Sequence, residues 1–161
     1  AGDTSIFPRL INMQRKGRLA IIGNGRNRVD FTSVDNLNAA LLSALQASGP
    51  ALGQVYNISN GEPVLLWEAV NYVLQRLDLP PVSRHLPYPL AYGAAALNEG
   101  LCRLLPGRPE PGLFRLGVAV MAKDFSLDIS RARHYLDYQP RVDLWAALDE
   151  FCHWWQGRQP G

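Results

Sequence analysis

The chain has 161 residues, 47% of them hydrophobic and 19% charged, which is enough apolar material for one packed core and too little length for two full domains. Sixteen basic residues against fourteen acidic ones leave a formal charge of +2 that is scattered along the chain, which excludes a concentrated nucleic-acid-binding face. The apolar, uncharged stretch Leu86 to Leu97 runs twelve residues against the roughly twenty that a helical membrane span needs.

From the N-terminus, Ile6, Leu10 and Met13 repeat at spacings of four and three, with Phe7 and Ile11 widening the face, and predict a helix over Thr4 to Arg15. Pro8 fits its first turn, where the missing N–H costs nothing. Leu19 to Ile22 and Val29 to Val34 are β-prone runs separated by Gly23-Asn24-Gly25-Arg26-Asn27-Arg28, and the Asn-Gly pair predicts a two-stranded hairpin.

Val34, Leu37, Leu41 and Leu45 predict the next helix, with Ser33 or Asp35 near its cap and Gly49-Pro50 as its stop. Gln54 to Ser59 reads as a strand closed by Asn60-Gly61. Pro63 then opens a helix carrying Leu66, Val70, Val73 and Leu77 that Pro80-Pro81 ends. Strand, turn and helix in this order form half of a parallel α/β unit.

Leu90, Ala94, Leu97, Leu101 and Leu104 predict a helix after Pro87 and Pro89, followed by a loop from Pro106 to Gly112. The last third reads as a helix-prone run from Leu113 to Ala122, a short strand at Phe125 to Leu127 and a helix from Ser130 to Leu136. A final amphipathic helix carries Leu144, Leu148, Phe151 and Trp155. The fold class is α/β, mixed and helix-rich, with about six helices and few short strands.

No complete catalytic constellation is legible. Gly23-Asn24-Gly25 lacks the third glycine and the helix that a dinucleotide fingerprint needs. His85, His134 and His153 have no i, i+4 partner, so no metal site is expected. Cys102 and Cys152 stand fifty residues apart with no C-x-x-C, which points to a reducing, cytoplasmic setting. No G-x-S-x-G elbow is present, and Glu62, Asp149 and Glu150 read as solvated acids.

Gly2-Asp3, Phe7-Pro8, Gly23-Asn24-Gly25, Asp30 to Asn36, Tyr56 to Pro63, Pro87-Tyr88, Phe125 to Asp128, Ala132 and Leu136 to Pro140 occur in the order and spacing of a known family. Together they resemble the C-terminal part of an extended short-chain dehydrogenase/reductase of the epimerase/dehydratase superfamily. The branch they resemble most holds 3β-hydroxysteroid dehydrogenases and sterol-4-carboxylate 3-dehydrogenases.

The resemblance implies a single substrate-binding region over 1–161 of a Rossmann-type enzyme. Its N-terminal dinucleotide-binding domain, with the catalytic Tyr and Lys, would precede Ala1, consistent with the missing initiator Met and the absence of catalytic residues in this chain. NAD or NADP is implied for the full-length protein, with no tight binding by this chain alone and cofactor-binding residues unknown. The implied partners are the missing N-terminal domain, a small apolar substrate and a second copy of the protein. The polar breaks Asn98, Glu99 and Arg103 permit a peripheral membrane contact and exclude a span.

Sugar-nucleotide relatives carry Arg-Asp-Tyr or Arg-Asp-Phe where this chain has Val29-Asp30-Phe31, and Arg-Pro-Gly-Asp where spacing places Val118-Ala119-Val120-Met121. Valine offers no donor to a phosphate, and Arg28 on the same strand points to the opposite face. The resemblance therefore implies a steroid-like or long-chain substrate lined by Phe7, Val29, Phe31, Val118 and Met121. A sugar-nucleotide epimerase or dehydratase and a non-catalytic dinucleotide sensor are the alternatives. A second departure, Asp137 where the family has glycine, falls at a predicted left-handed helix end.

Overall fold

The computed structural model describes residues 6–105 and 112–158. In chain order its elements are α1 (Ile6–Arg15), β1 (Ile21–Ile22), β2 (Arg28–Val29), α2 (Val34–Leu45), a 3₁₀ turn (Gly49–Ala51), β3 (Val64–Leu65), α3 (Leu66–Arg76), β4 (His85–Leu86), α4 (Tyr88–Leu104), α5 (Arg115–Val120), α6 (Ser130–Leu136) and α7 (Leu144–Gln156). The helix-rich reading holds, with seven α-helices among the described residues. The predicted start at Thr4 and the loop residues Pro106 to Pro111 lie outside the described residues.

The hairpin expectation is corrected. β1 pairs in parallel with β4, Ile21 opposite His85, and β2 pairs antiparallel with β3, Val29 opposite Val64. Gly23 and Gly25 both have positive φ, +76° and +70°, so the Asn-Gly segment carries the chain from one two-stranded sheet to the other. The strand expected at Gln54 to Ser59 has no ladder among the described residues, and Phe125 keeps only a single parallel bridge to Val29. Pro63 precedes β3, and the following helix begins at Leu66.

Apolar spacing decides the main core. α1 contributes Phe7, Leu10 and Ile11, α3 contributes Leu66, Val70, Val73 and Leu74, and α7 contributes Leu144, Leu148 and Phe151, all buried in one cluster with Leu19, Ile21 and Val29. A second cluster joins Ala40 of α2 to Ile129, Ala132, Leu136 and Tyr138 around α6, and a third joins Ala91 and Ala95 of α4 to Val118 of α5.

Two amides tie these parts together. Asn36, fully buried, donates from Nδ2 to Asn60 Oδ1 and Val142 O, both at 2.9 Å, and its Oδ1 accepts from the N–H groups of Arg141 and Val142 at 2.8 and 2.9 Å. Ser33 caps α2 by accepting from the Asn36 N–H at 3.2 Å, so the choice between Ser33 and Asp35 resolves to Ser33. Asp137 ends α6 in the left-handed conformation, φ 50° and ψ 36°, at the position where the family has glycine.

Candidate functional site

The structure gathers four of the five expected lining residues. Phe7 and Phe31 stack with ring centroids 6.1 Å apart and planes 19° from parallel, and Phe7 also meets Phe151 at 5.4 Å. Val29 is buried in the same cluster, and Phe31 and Met121 are half-buried against it. Val118 lies elsewhere: it is buried between α4 and α5, with Ala91, Ala95, Ile22 and Tyr88 around it.

Backbone pairing fixes these side chains. Asp30 N–H donates to Phe125 O at 2.9 Å, and Asp30 Oδ2 accepts from Leu127 N–H at 2.7 Å. Arg28 N–H donates to Asp124 Oδ1 at 2.8 Å, so the 124–127 segment is strapped along β2. Strand alternation turns Val29 inward and Arg28 outward, and the Arg28 guanidinium donates to the Pro63 carbonyl. The cluster therefore receives no cation from its own strand.

Beside it, Gly23 approaches Ala122 and Tyr88 closely enough that a Cβ would stand 3.8 and 4.0 Å from theirs. Lys123 Nζ lies 5.5 Å from the Tyr88 ring centroid. This joint between the first turn, α4 and the end of α5 escaped the sequence reading, since its residues are far apart in the chain and of ordinary type.

Cys152 and Asp149 are quenched and engaged, respectively. Burial pushes the Cys152 thiol up to about 11, which keeps it protonated and a poor nucleophile. Asp149 pairs with Arg76 at 2.9 Å and accepts from Tyr72 Oη at 2.8 Å. Arg76 also donates to Tyr72 Oη at 2.9 Å, and that hydrogen bond, ahead of the Asp149 charge, holds its guanidinium above its ordinary range. Among the described residues no three His, Cys, Asp or Glu side chains gather to hold a metal. A groove of about 740 Å³ lined by Glu68, Tyr72, Gln75 and Trp145 lies along α3 and α7 and contains none of the five expected residues.

The glycine turn does not fit a dinucleotide. A Cβ on Gly25 would stand 2.8 Å from Ile21 Cγ2, so the turn packs on its own strand, and β2 follows it where a phosphate-binding helix would have to begin.

No protein-family model matches the chain. Over 146 residues it is 36% identical to a 2-alkyl-3-oxoalkanoate reductase of Stenotrophomonas maltophilia, covering 89% of this chain and 44% of that one. It is 30% identical over 153 residues to the mouse (Mus musculus) sterol-4-alpha-carboxylate 3-dehydrogenase, decarboxylating, covering 91% of this chain and 42% of that one. The fold matches the UDP-glucuronic acid 4-epimerase of Bacillus cereus, solved with UDP-glucuronic acid and NAD, with a TM-score of 0.61 at 21% identity over 96% of this chain and 40% of that one.

The chain is similar in sequence and fold to the extended short-chain dehydrogenases/reductases. It spans about two fifths of the length of the relatives it matches. Its sequence sides with the reductase and sterol dehydrogenase branch of that superfamily, while its likeness to the epimerase is one of fold alone. No helix among the described residues is long and apolar enough to cross a membrane.

Proposed function

We propose that this chain is the substrate-binding part of an NAD(P)-dependent oxidoreductase that interconverts a secondary alcohol and a ketone on an apolar substrate. The observation that supports this reading is the uncharged cluster of Phe7, Val29, Phe31 and Met121, in which Val29 stands where the family resemblance places a phosphate-gripping arginine in sugar-nucleotide relatives. Val118 belongs to a separate cluster between α4 and α5 and does not join this one. Arg28, the nearest strand cation, is committed to the Pro63 carbonyl.

The two relatives' names share a chemical feature. A 2-alkyl-3-oxoalkanoate and a sterol-4-carboxylate oxygenated at position 3 both carry a carboxylate on the carbon beside the reacting one. A β-hydroxy or β-keto acid with a bulky hydrocarbon body is the substrate class we assign.

The dinucleotide-binding sheet is supplied by the remainder of a longer polypeptide. Its seat is the outer face of α2, where Val34, Leu41, Leu42 and Leu45 are exposed, together with the unladdered 54–59 segment, where Val55 is 81% exposed. An extended segment without a ladder partner, beside exposed apolar side chains, is an edge that another strand can complete. The free thiols Cys102 and Cys152 support a cytoplasmic setting.

The test is turnover by the intact polypeptide that contains this chain. Oxidation of NADH or NADPH with an apolar β-keto acid, and no epimerised or dehydrated product from UDP-glucose or UDP-glucuronic acid, is the expected result. Turnover of the UDP-sugar overturns the reading.

A further inference from the structure

Phe31 stands between two anchors on its own strand. On one side, Asp30 is fixed to the 125–127 segment through its N–H and its carboxylate. On the other, the Phe31 carbonyl accepts from the Asn60 N–H at 2.8 Å, Thr32 Oγ1 donates to Ile58 O at 3.1 Å, and the Ser33 N–H donates to Asn60 Oδ1 at 3.0 Å. Asn60 therefore grips the chain on both sides of Thr32, with its backbone on the Phe31 side and its side chain on the Ser33 side.

Asn60 is itself buried and held from several sides. Its Oδ1 also accepts from Asn36 Nδ2 at 2.9 Å, and its Nδ2 donates to Val142 O at 3.3 Å. The carbonyl of Ser59, the residue before it, accepts from Tyr138 Oη at 2.9 Å. Gly61, the residue after it, has φ +72°, and a Cβ there would stand 2.7 Å from Ile129 Cδ1, so the turn admits one path. All of these partners lie within this chain, and a buried amide satisfied in this way makes a rigid joint.

We propose that Asn60 is the positioning residue that sets Phe31 in the substrate cluster and ties it to the 54–59 segment, on which the dinucleotide-binding part seats. The inference rests on the oxidoreductase reading above and adds to it the residue that keeps the substrate cluster in register with the cofactor part. A contact that served folding alone would need only the bonds to Asn36 and Val142. The bonds to Phe31 and Ser33 act instead on the strand that carries two of the lining residues, Val29 and Phe31. The Phe31 ring stacks on Phe7 of α1, so the path of the Phe31 backbone sets the spacing of the two rings. A tilt of roughly 10° in that backbone carries the ring on the order of 1 Å, the displacement at which a positioned contact loses its effect.

The test uses the intact polypeptide that contains this chain. One readout is the resonance of a fluorinated phenylalanine placed at Phe31, and the other is reduction of an apolar β-keto acid by NADH or NADPH. Asn60→Ala frees the Ser33 N–H and should shift or broaden the fluorine resonance and raise KM about 10-fold, with kcat per folded enzyme held within about twofold. Asn60→Asp keeps the acceptor for Ser33 and Asn36 and loses only the longer bond to Val142, so it should restore both readouts. Thr32→Val removes the bond to Ile58 from an exposed position. It should move both readouts the same way by a smaller step, and it serves where Asn60→Ala does not fold.

In a Phe31→Ala background, Asn60→Ala should add no further rise in KM, because the amide acts through that ring. An unmoved resonance in Asn60→Ala, or in Thr32→Val where the Ala variant does not fold, overturns the proposal. So does a fall in kcat at constant KM, an Asp variant no better than Ala, or additive effects in the double variant. If wild type reduces no β-keto acid, the oxidoreductase reading falls, while the fluorine resonance still decides whether Asn60 places Phe31.

Discussion

Asn36→Ala should be among the most damaging single substitutions in the chain. The side chain makes four hydrogen bonds of 2.8 to 2.9 Å, two as donor and two as acceptor, from a site with no solvent exposure. Truncation leaves the Arg141 and Val142 N–H groups and the Asn60 and Val142 oxygens short of a partner. Asn60 Oδ1 retains the Ser33 N–H at 3.0 Å, and Val142 O retains Asn60 Nδ2 at 3.3 Å, so the loss falls mainly on the two amides. At about 1 to 3 kcal/mol per unsatisfied buried group, with partial recovery through water, the expected cost is about 3 to 5 kcal/mol.

For a chain of this size that corresponds to roughly a 6 to 20 °C fall in Tm, read by thermal and urea unfolding followed by circular dichroism. Asn36→Asp, which keeps the volume, should cost at least as much, because it replaces the Nδ2 donor with an acceptor facing Asn60 Oδ1 and Val142 O. A loss below about 1 kcal/mol for Ala, or an Asp variant close to wild type, would refute the claim that this amide holds α2 to the segment between α6 and α7.

Three other outcomes are expected. Asp137→Gly should raise Tm by about 1 to 3 °C, the relief of the left-handed backbone at φ 50° exceeding the added chain entropy of glycine, and a lower Tm would show that the carboxylate has a structural role. Gly61→Ala should destabilise by about 2 kcal/mol, since φ is +72° and the new methyl would stand 2.7 Å from Ile129 Cδ1; unchanged urea unfolding would contradict this. Because burial raises the Cys152 thiol from its ordinary 9.0 to about 11, its contribution is fully present below pH 9 and lost as pH rises through 11. Wild type should therefore lose stability relative to Cys152→Ala across that window, and a constant difference between the two would contradict it.

What the sequence reveals and conceals follows the range of the interactions. α2, α3, α6 and α7 are legible because apolar spacing and end signals act within one or two turns: Ser33 caps α2, Asp143 caps α7 by accepting from Trp145 and Ala146, and Asp137 terminates α6. The strands are misread because each finds its partner far along the chain, Ile21 with His85 and Val29 with Val64, whereas the Asn-Gly signal speaks only for its neighbours. Gln54 to Ser59 has the composition of a strand and no ladder among the described residues.

At the candidate site, Phe7, Val29, Phe31 and Met121 fall in or against one cluster, while Val118 is buried in another, between α4 and α5. The Asn36 network was present in the sequence only as one more residue of the Asp30 to Asn36 run. Its four partners lie between 24 and 106 positions away, beyond the reach of local pattern.

The most direct measurement is the specificity constant of the intact polypeptide for NAD(P)H-dependent reduction of an apolar β-keto acid, for wild type and Phe31→Arg, taken in parallel with epimerisation or dehydration of a UDP-sugar followed by the sugar product, since that reaction consumes no NAD(P)H. The apolar-site account predicts turnover of the keto acid alone and a fall in kcat/KM of about 10-fold or more when a cation enters the cluster. Turnover of the UDP-sugar by wild type, or a keto-acid rate indifferent to Phe31→Arg, would contradict it.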